Sequence, residues 1–164
     1  MKRVLIAAVA VVLVFVAGAM AAGRATSQFA AGDSQLVAHN VFGLQTLELQ
    51  HFAFDAKSSP DGTASGAFSY KDIEDGAPFT AGGHVTCLTV IGNDAWVGAT
   101  IDRSNDPTVV GLGGWWHVTD VAGGPDVTTF LGIGSLADTQ AFCDTWPPYR
   151  HPFDVQHGNV VVKG

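Results

Sequence analysis

Between residues 83 and 102 the chain reads GHVTCLTVI, then Gly92-Asn93-Asp94, then AWVGATID. Two runs rich in β-branched and aromatic residues flank a short segment that tolerates the positive φ of a tight hairpin turn. This hairpin constrains the fold more than any other feature, and the same grammar recurs along the chain. Asp61-Gly62 separates Thr46–Asp55 from the returning run Gly66–Lys71. Trp115–Ala122 stops at Gly123-Gly-Pro-Asp126 and is followed by Val127–Ile133, and the chain finishes on GNVVVK from Gly158 to Lys163. No stretch carries the i, i+3, i+4 apolar spacing of a long amphipathic helix. Two Glu stand against thirteen Asp, which also disfavours helix, because Asp prefers caps and turns.

These runs predict an all-β domain: a single antiparallel β-barrel or barrel-like sandwich of seven or eight strands, with a two-sheet sandwich as the alternative. The barrel is preferred because a terminal strand at residues 158–163 is able to pair with the first strand and remove both exposed edges. Two local expectations accompany it. In TLELQHFAFD, Leu47 and Leu49 fall at odd positions and Phe52 and Phe54 at even ones, so a bulge near Gln50-His51 is expected to bring both pairs to the core face. Ser135–Tyr149 is expected to hold one short helical turn before the irregular segment Trp146-Pro-Pro-Tyr149.

The N-terminus has a different character. Lys2 and Arg3 precede the apolar run VLIAAVAVVLVFVA from Val4 to Ala17, and Ala19-Met20-Ala21 is a small-x-small cleavage signal. Residues 1–21 therefore read as a secretory signal peptide, 22–40 as a flexible arm and 41–164 as the β domain. The alternative is an uncleaved leader anchoring the chain in a membrane, since the apolar stretch is just long enough to span one. With the leader removed, no stable membrane insertion is expected. In an exported chain the two cysteines, Cys87 and Cys143, default to one disulfide. Neither lies in a CxxC motif, and no metal or cofactor is expected.

The formal charge is −7 from eight basic and fifteen acidic residues. A surface of that sign without basic clusters repels phosphate backbones and argues against nucleic acid as a partner.

The stretch His84-Val-Thr-Cys-Leu-Thr-Val-Ile-Gly-Asn-Asp-Ala-Trp-Val-Gly-Ala99 resembles a G-x-V-T-C-L-x-V-x-G-N-x-A-x-x-G signature found in a family of small exported bacterial β-rich proteins of unassigned function. Val118-Thr-Asp120 and Gly158-Asn-Val-Val-Val162 resemble counterparts there. The similarity spans residues 46–163 loosely and is specific only at the hairpin; the Trp-rich centre and Cys143–Tyr149 depart from it. The resemblance implies an exported β protein and carries over no functional residues.

Six histidines (His39, His51, His84, His117, His151 and His157) form no HxH, HExxH or HxxxH pair, so a metal site would have to assemble across strands, with His51, His84 and His117 the nearest set. The acidic segments Asp72–Asp75 and Asp102–Asp106 match no recognised calcium loop and read equally as solvated turns. There is no GxSxG. Asp55, Asp102 and Asp120 fall near strand ends, as they would in any Asp-rich β protein. Aromatic residues make the more informative set: Trp96, Trp115, Trp116, Trp146 and Tyr149 are the candidate ligand-binding residues. Adjacent Trp115 and Trp116 must point to opposite faces of a strand, so one joins the core while the other is offered to a ligand or covered by residues 144–152. The functional expectation is a secreted, non-catalytic domain binding a small apolar or carbohydrate ligand. The alternatives are a structural domain contacting envelope proteins and a small β-barrel hydrolase or isomerase.

Overall fold

A computed structural model describes residues 26–39, 47–74, 77–148 and 152–164. The expected leader, the first residues of the arm, and Tyr149 lie outside them. The described residues form one antiparallel sheet of ten strands curled into a half-barrel, with a single α-helix on its outside. The strands are β1 (Gln28–His39), β2 (Leu47–Ser58), β3 (Ala64–Glu74), β4 (Ala77–Ile91), β5 (Asp94–Ser104), β6 (Gly113–Thr119), β7 (Val127–Thr128), β8 (Gly132–Gly134), β9 (Phe153–Asp154) and β10 (His157–Lys163). They run β10-β1-β2-β3-β4-β5-β6-β7-β9, with β8 beside β6. The barrel-like all-β architecture is as expected. Three of the ten strands, β7, β8 and β9, have only two or three residues.

The segment expected to be an arm is largely a strand. β1 pairs with β2 through twelve residues and with β10 through seven. The terminal strand thus finds its partner one strand earlier in the chain than expected. The concave positions of β1 are Gln28, Ala30, Gly32, Ser34 and Leu36, and the small size of the middle three answers the rings opposite. A Cβ on Gly32 would sit 2.9 Å from Phe54 Cε1.

No bulge interrupts β2. Its register with β1 is continuous from Leu47 to Ser58, so Gln50, Phe52, Phe54, Ala56 and Ser58 share the concave face. Gln50 takes the core position that the apolar pattern assigned to a leucine and is fully buried, while Leu49 falls on the outer face. The register shifts occur between β4 and β5 instead: Asp102 of β5 is the extra residue opposite Gly82/Gly83, and Thr86 of β4 the extra one between Val85 and Cys87. Beyond Ala67↔His84 the pairing of β3 with β4 stops, and the freed half of β4 reaches β1. There the Gln28 amide accepts from Val90 N (3.2 Å) and donates to Val90 O (3.4 Å), replacing ladder bonds.

Aromatic rings fill the concave side. Trp116, fully buried, lies 4.7 Å from Phe52, 5.3 Å from Phe68 and 5.5 Å from Phe54 between ring centroids, and Tyr70 stands edge-on to Phe52 at 5.3 Å. Val97, Ala99, Ile101 and Val118 complete the floor.

Two carboxylates dress the edge of β10. Asp126, buried, accepts from Val160 N (2.7 Å) and Val121 N (2.9 Å), and Asp120 accepts from Val162 N (3.1 Å). An edge strand's N–H groups are thereby satisfied without another strand. Asp126→Ala leaves the buried Val160 N and the half-buried Val121 N without their acceptor and is expected to cost about 2–6 kcal/mol in urea unfolding, given about 1–3 kcal/mol per stranded donor. Asp120→Ala, which strips only one half-buried donor, should cost less; equal effects would contradict this account of the edge.

Candidate functional site

The outer surface of the sheet divides into a covered region and an open one. The covered region lies over β4, β5 and β6, under the helix α1 (Leu136–Thr145), longer than the single turn expected. Its N-terminus is set by a capping box: Asp138 N donates to Ser135 Oγ (3.1 Å), and Ser135 N donates to Asp138 Oδ2 (3.2 Å). The Cys87–Cys143 disulfide pins the helix to β4, with Cα atoms 6.2 Å apart. Gly98 lies directly beneath, where a Cβ would fall 2.4 Å from Cys87 Sγ. The bond closes a span of 56 residues, which by the chain-entropy argument contributes about 4 kcal/mol.

The candidate tryptophans are distributed rather than gathered. Trp116 belongs to the core. Trp96 is buried on the outer face and donates from Nε1 to Pro147 O (3.0 Å), so the segment after α1 roofs it. Trp115 is half-buried against the backbone of Gly132 and Gly134, with Phe142 6.3 Å away. Trp146 is 52% exposed and adopts a left-handed backbone, φ 47°, at the end of α1. That conformation ordinarily favours glycine. Tyr149 lies outside the described residues.

Below Trp96 sits His117, wholly enclosed on the outer face. Its ring is 4.6 Å from the indole, and its Nε2 lies 3.1 Å from Asp94 Oδ1, which also accepts from Thr119 Oγ1 at 2.6 Å. Burial pushes the imidazole pKa down to about 4, outweighing the upward pull of Asp94. The group is roofed and neutral, which suits a structural role beneath Trp96. An unfolded histidine titrates near 6.5. Between pH 6.5 and 4 the unfolded chain takes up a proton that the folded one refuses, so this contribution is full above pH 6.5 and is lost as pH falls toward 4.

The open region spans the convex faces of β1 to β5. Three depressions of about 330, 480 and 320 Å³ share Ser69 and form one continuous groove. Strand register explains what lines it. Asp33, Ala53, Ser69, Gly82 and Arg103 are consecutive cross-strand partners, and His51 and Lys71 are partners in the adjacent rank. The floor is made of small residues. Gly82 lets Arg103 lie flat across it: a Cβ at Gly82 would fall 2.6 Å from Arg103 Cζ. One wall is rigid. Thr80 O accepts from Ser104 Oγ (2.6 Å), Thr80 N donates to Asn105 Oδ1 (2.8 Å), and Asn105 Nδ2 donates to Pro78 O (2.8 Å).

Other sequence candidates are spread out. His51, His84 and His117 lie on three different strands. His84 pairs with Asp102 at 2.8 Å on an exposed surface. Among the described residues no group of three or more His, Cys, Asp or Glu is placed to hold a metal ion. Asp106, in the second acidic segment, caps the 3₁₀ turn Pro107–Val109 by accepting from Thr108 N. Hydrogen bonds from Thr108 hold its carboxyl below the usual carboxylate range. Sequence reading missed the groove because its residues come one or two from each of five strands, and only the folded register brings them together.

No family model, curated protein or solved structure matches this chain. No helix among the described residues is long and apolar enough to cross a membrane.

Urea midpoints measured from pH 7.5 to 4.5 should fall as the solution is acidified, with His117 contributing at most about 3 kcal/mol. The slope should flatten in His117→Asn, whose overall stability is a separate matter. A variant slope as steep as that of the wild type would remove His117 from the explanation.

Proposed function

We propose that this protein is an exported, non-catalytic binding domain that holds a small polar ligand, of carbohydrate type, on the convex face of its sheet. The observation that carries this reading is the division of space in the molecule. Aromatic side chains occupy the concave side where a barrel would otherwise enclose a ligand, whereas the open grooved surface is polar, floored by small residues and backed by a hydrogen-bonded wall. Polar groups convergent on a shallow concavity are the usual furnishing of a ligand site. The shift from an apolar to a polar ligand follows from the lining: Ser69, Thr80, Lys71, Arg103, Asp33 and His51 offer hydrogen bonds, and the tryptophans with large apolar faces are mostly covered.

Export is part of the proposal. The signal-like residues 1–21, with cleavage after Ala21, support it, and so does a buried disulfide of the kind that persists in oxidising compartments. The hairpin signature at residues 83–98 supports placing the chain with small exported bacterial proteins. A second reading, a domain that contacts other envelope proteins, is favoured by the exposure of Trp146 and Leu136, each 52%.

Two measurements test the proposal. An intact mass of protein recovered from culture supernatant should correspond to cleavage after Ala21 with a two-dalton deficit for the disulfide; a retained leader would contradict export as a free domain. Backbone amide spectra recorded against a panel of neutral and charged monosaccharides and short oligosaccharides should show saturable shifts confined to Ala53, Ser69, Gly82 and their neighbours. Shifts confined to the Trp146 and Leu136 surface on adding envelope proteins, with none in the groove, would favour the second reading.

A further inference from the structure

We infer that the groove selects a carboxylate-bearing saccharide, with Lys71 and Arg103 receiving the acid group and Gly82 setting the position of Arg103. This rests on the proposed role of the groove as a ligand site.

The protein has few basic residues, eight against fifteen acidic ones. In the described part they are Lys57, Lys71, Arg103 and Lys163. Two of these four line the same depression, the largest of the three, at about 480 Å³, and no carboxylate lines it with them. Neither makes an ion pair or a side-chain hydrogen bond among the described residues. Two like charges turned toward one hollow, in a protein that is otherwise acidic, repel each other until an anion joins them.

Geometry then fixes where the anion sits. Lys71 and Ser69 are two residues apart on β3 and share its outer face. Arg103 stands two strands away, but its guanidinium folds back over Gly82, the cross-strand partner of Ser69. Gly82 is buried beneath it. The planar fork of Arg103 is therefore presented along the floor toward Ser69, in reach of a group also held by the Lys71 ammonium. Arg binds carboxylates through paired N–H donors, and Lys adds a point charge.

The remaining lining limits the rest of the ligand. Asp33 borders one neighbouring depression, on the far side of Lys71, and Asp55 the other, on the far side of Arg103. Carboxylates there repel a second anionic group yet accept hydrogen bonds from hydroxyls. His51 and Ser69 add further polar partners. A single acid group surrounded by hydroxyls, as in a sugar acid, matches this distribution; a polyphosphate or polysulfate does not.

The test compares three probes on the full-length exported protein by amide chemical-shift titration: D-glucuronate, D-glucose and inorganic phosphate. Glucuronate and glucose differ only in the carboxylate, so their ratio isolates the acid group. Glucuronate should shift Ser69, Lys71, Gly82 and Arg103 saturably and bind at least tenfold more tightly than glucose. Lys71→Ala or Arg103→Ala should each weaken it by about tenfold, the size expected for a charge-assisted contact, and Lys71→Arg should retain most of the affinity. Gly82→Ala puts a methyl where the guanidinium rests and should weaken glucuronate severalfold, by a larger factor than it weakens glucose. All of these positions are on the outer surface, and an unchanged amide spectrum elsewhere confirms folding of each variant. Equal binding of glucose and glucuronate overturns the acid selectivity while leaving the groove as a saccharide site. Binding of phosphate more tightly than glucuronate overturns the sugar-acid assignment. No shift in the groove from any probe overturns both this inference and the reading on which it rests.

Discussion

Trp116 and the three rings packed with it decide how the rest of the molecule is arranged. An indole placed on β6, at 4.7 Å from Phe52 and 5.3 Å from Phe68, couples strands from opposite parts of the sheet. Aromatic contacts of this kind favour tilted and edge-on geometries and add to the area they remove from water. Because β2 and β3 contribute large rings, the strand lying across them has room only for small residues. This is why β1 faces inward with Ala30, Gly32 and Ser34, and why the sheet is able to curl tightly enough for the free half of β4 to meet Gln28.

Filling the concave side has a consequence on the convex one. Each strand alternates, so a rank of large inward residues is accompanied by an outward rank that is free to be small and polar. On β2 and β3 that outward rank is His51, Ala53, Asp55, Ala67, Ser69 and Lys71. The same alternation on β4 to β6 places Cys87, Trp96, Gly98, Trp115 and His117 outward, where α1, the segment that follows it and the disulfide cover them. One sheet thus has two outer territories, one sealed by a helix and one open to solvent, and the proposed ligand site is the open one.

The parts of this architecture that were legible in the sequence are those in which apolar and polar residues alternate around clear turn residues. The 83–102 hairpin, the Asp61-Gly62 turn, the terminal strand and the Cys87–Cys143 pair all follow local rules. β1 was hidden because its inward positions other than Leu36 are small or polar, so it carries little hydrophobic signature. The bulge expected near Gln50 arose from reading Leu49 as a core residue; the packing puts Gln50 inward, where its amide reaches Thr129 O at a long 3.5 Å. Helix α1 is short and packs mainly through Thr139 and Cys143, so its apolar periodicity was too weak to read. The tryptophans were visible as candidates, but their division between core, covered face and exposed helix end depends on tertiary packing. The groove left no linear trace at all, since Gly82 and Arg103 become neighbours only through a β4–β5 register that is itself shifted at Asp102.

The most direct test of the claim that aromatic side chains close the concave side to ligands is an amide spectrum of the wild-type protein equilibrated with xenon, an atom that enters dry apolar cavities. The account predicts no shift at Phe52, Phe68, Val97 or Trp116. Saturable shifts at those residues would reveal an internal apolar cavity, contradict the filled core, and return the ligand site to the inside of the barrel.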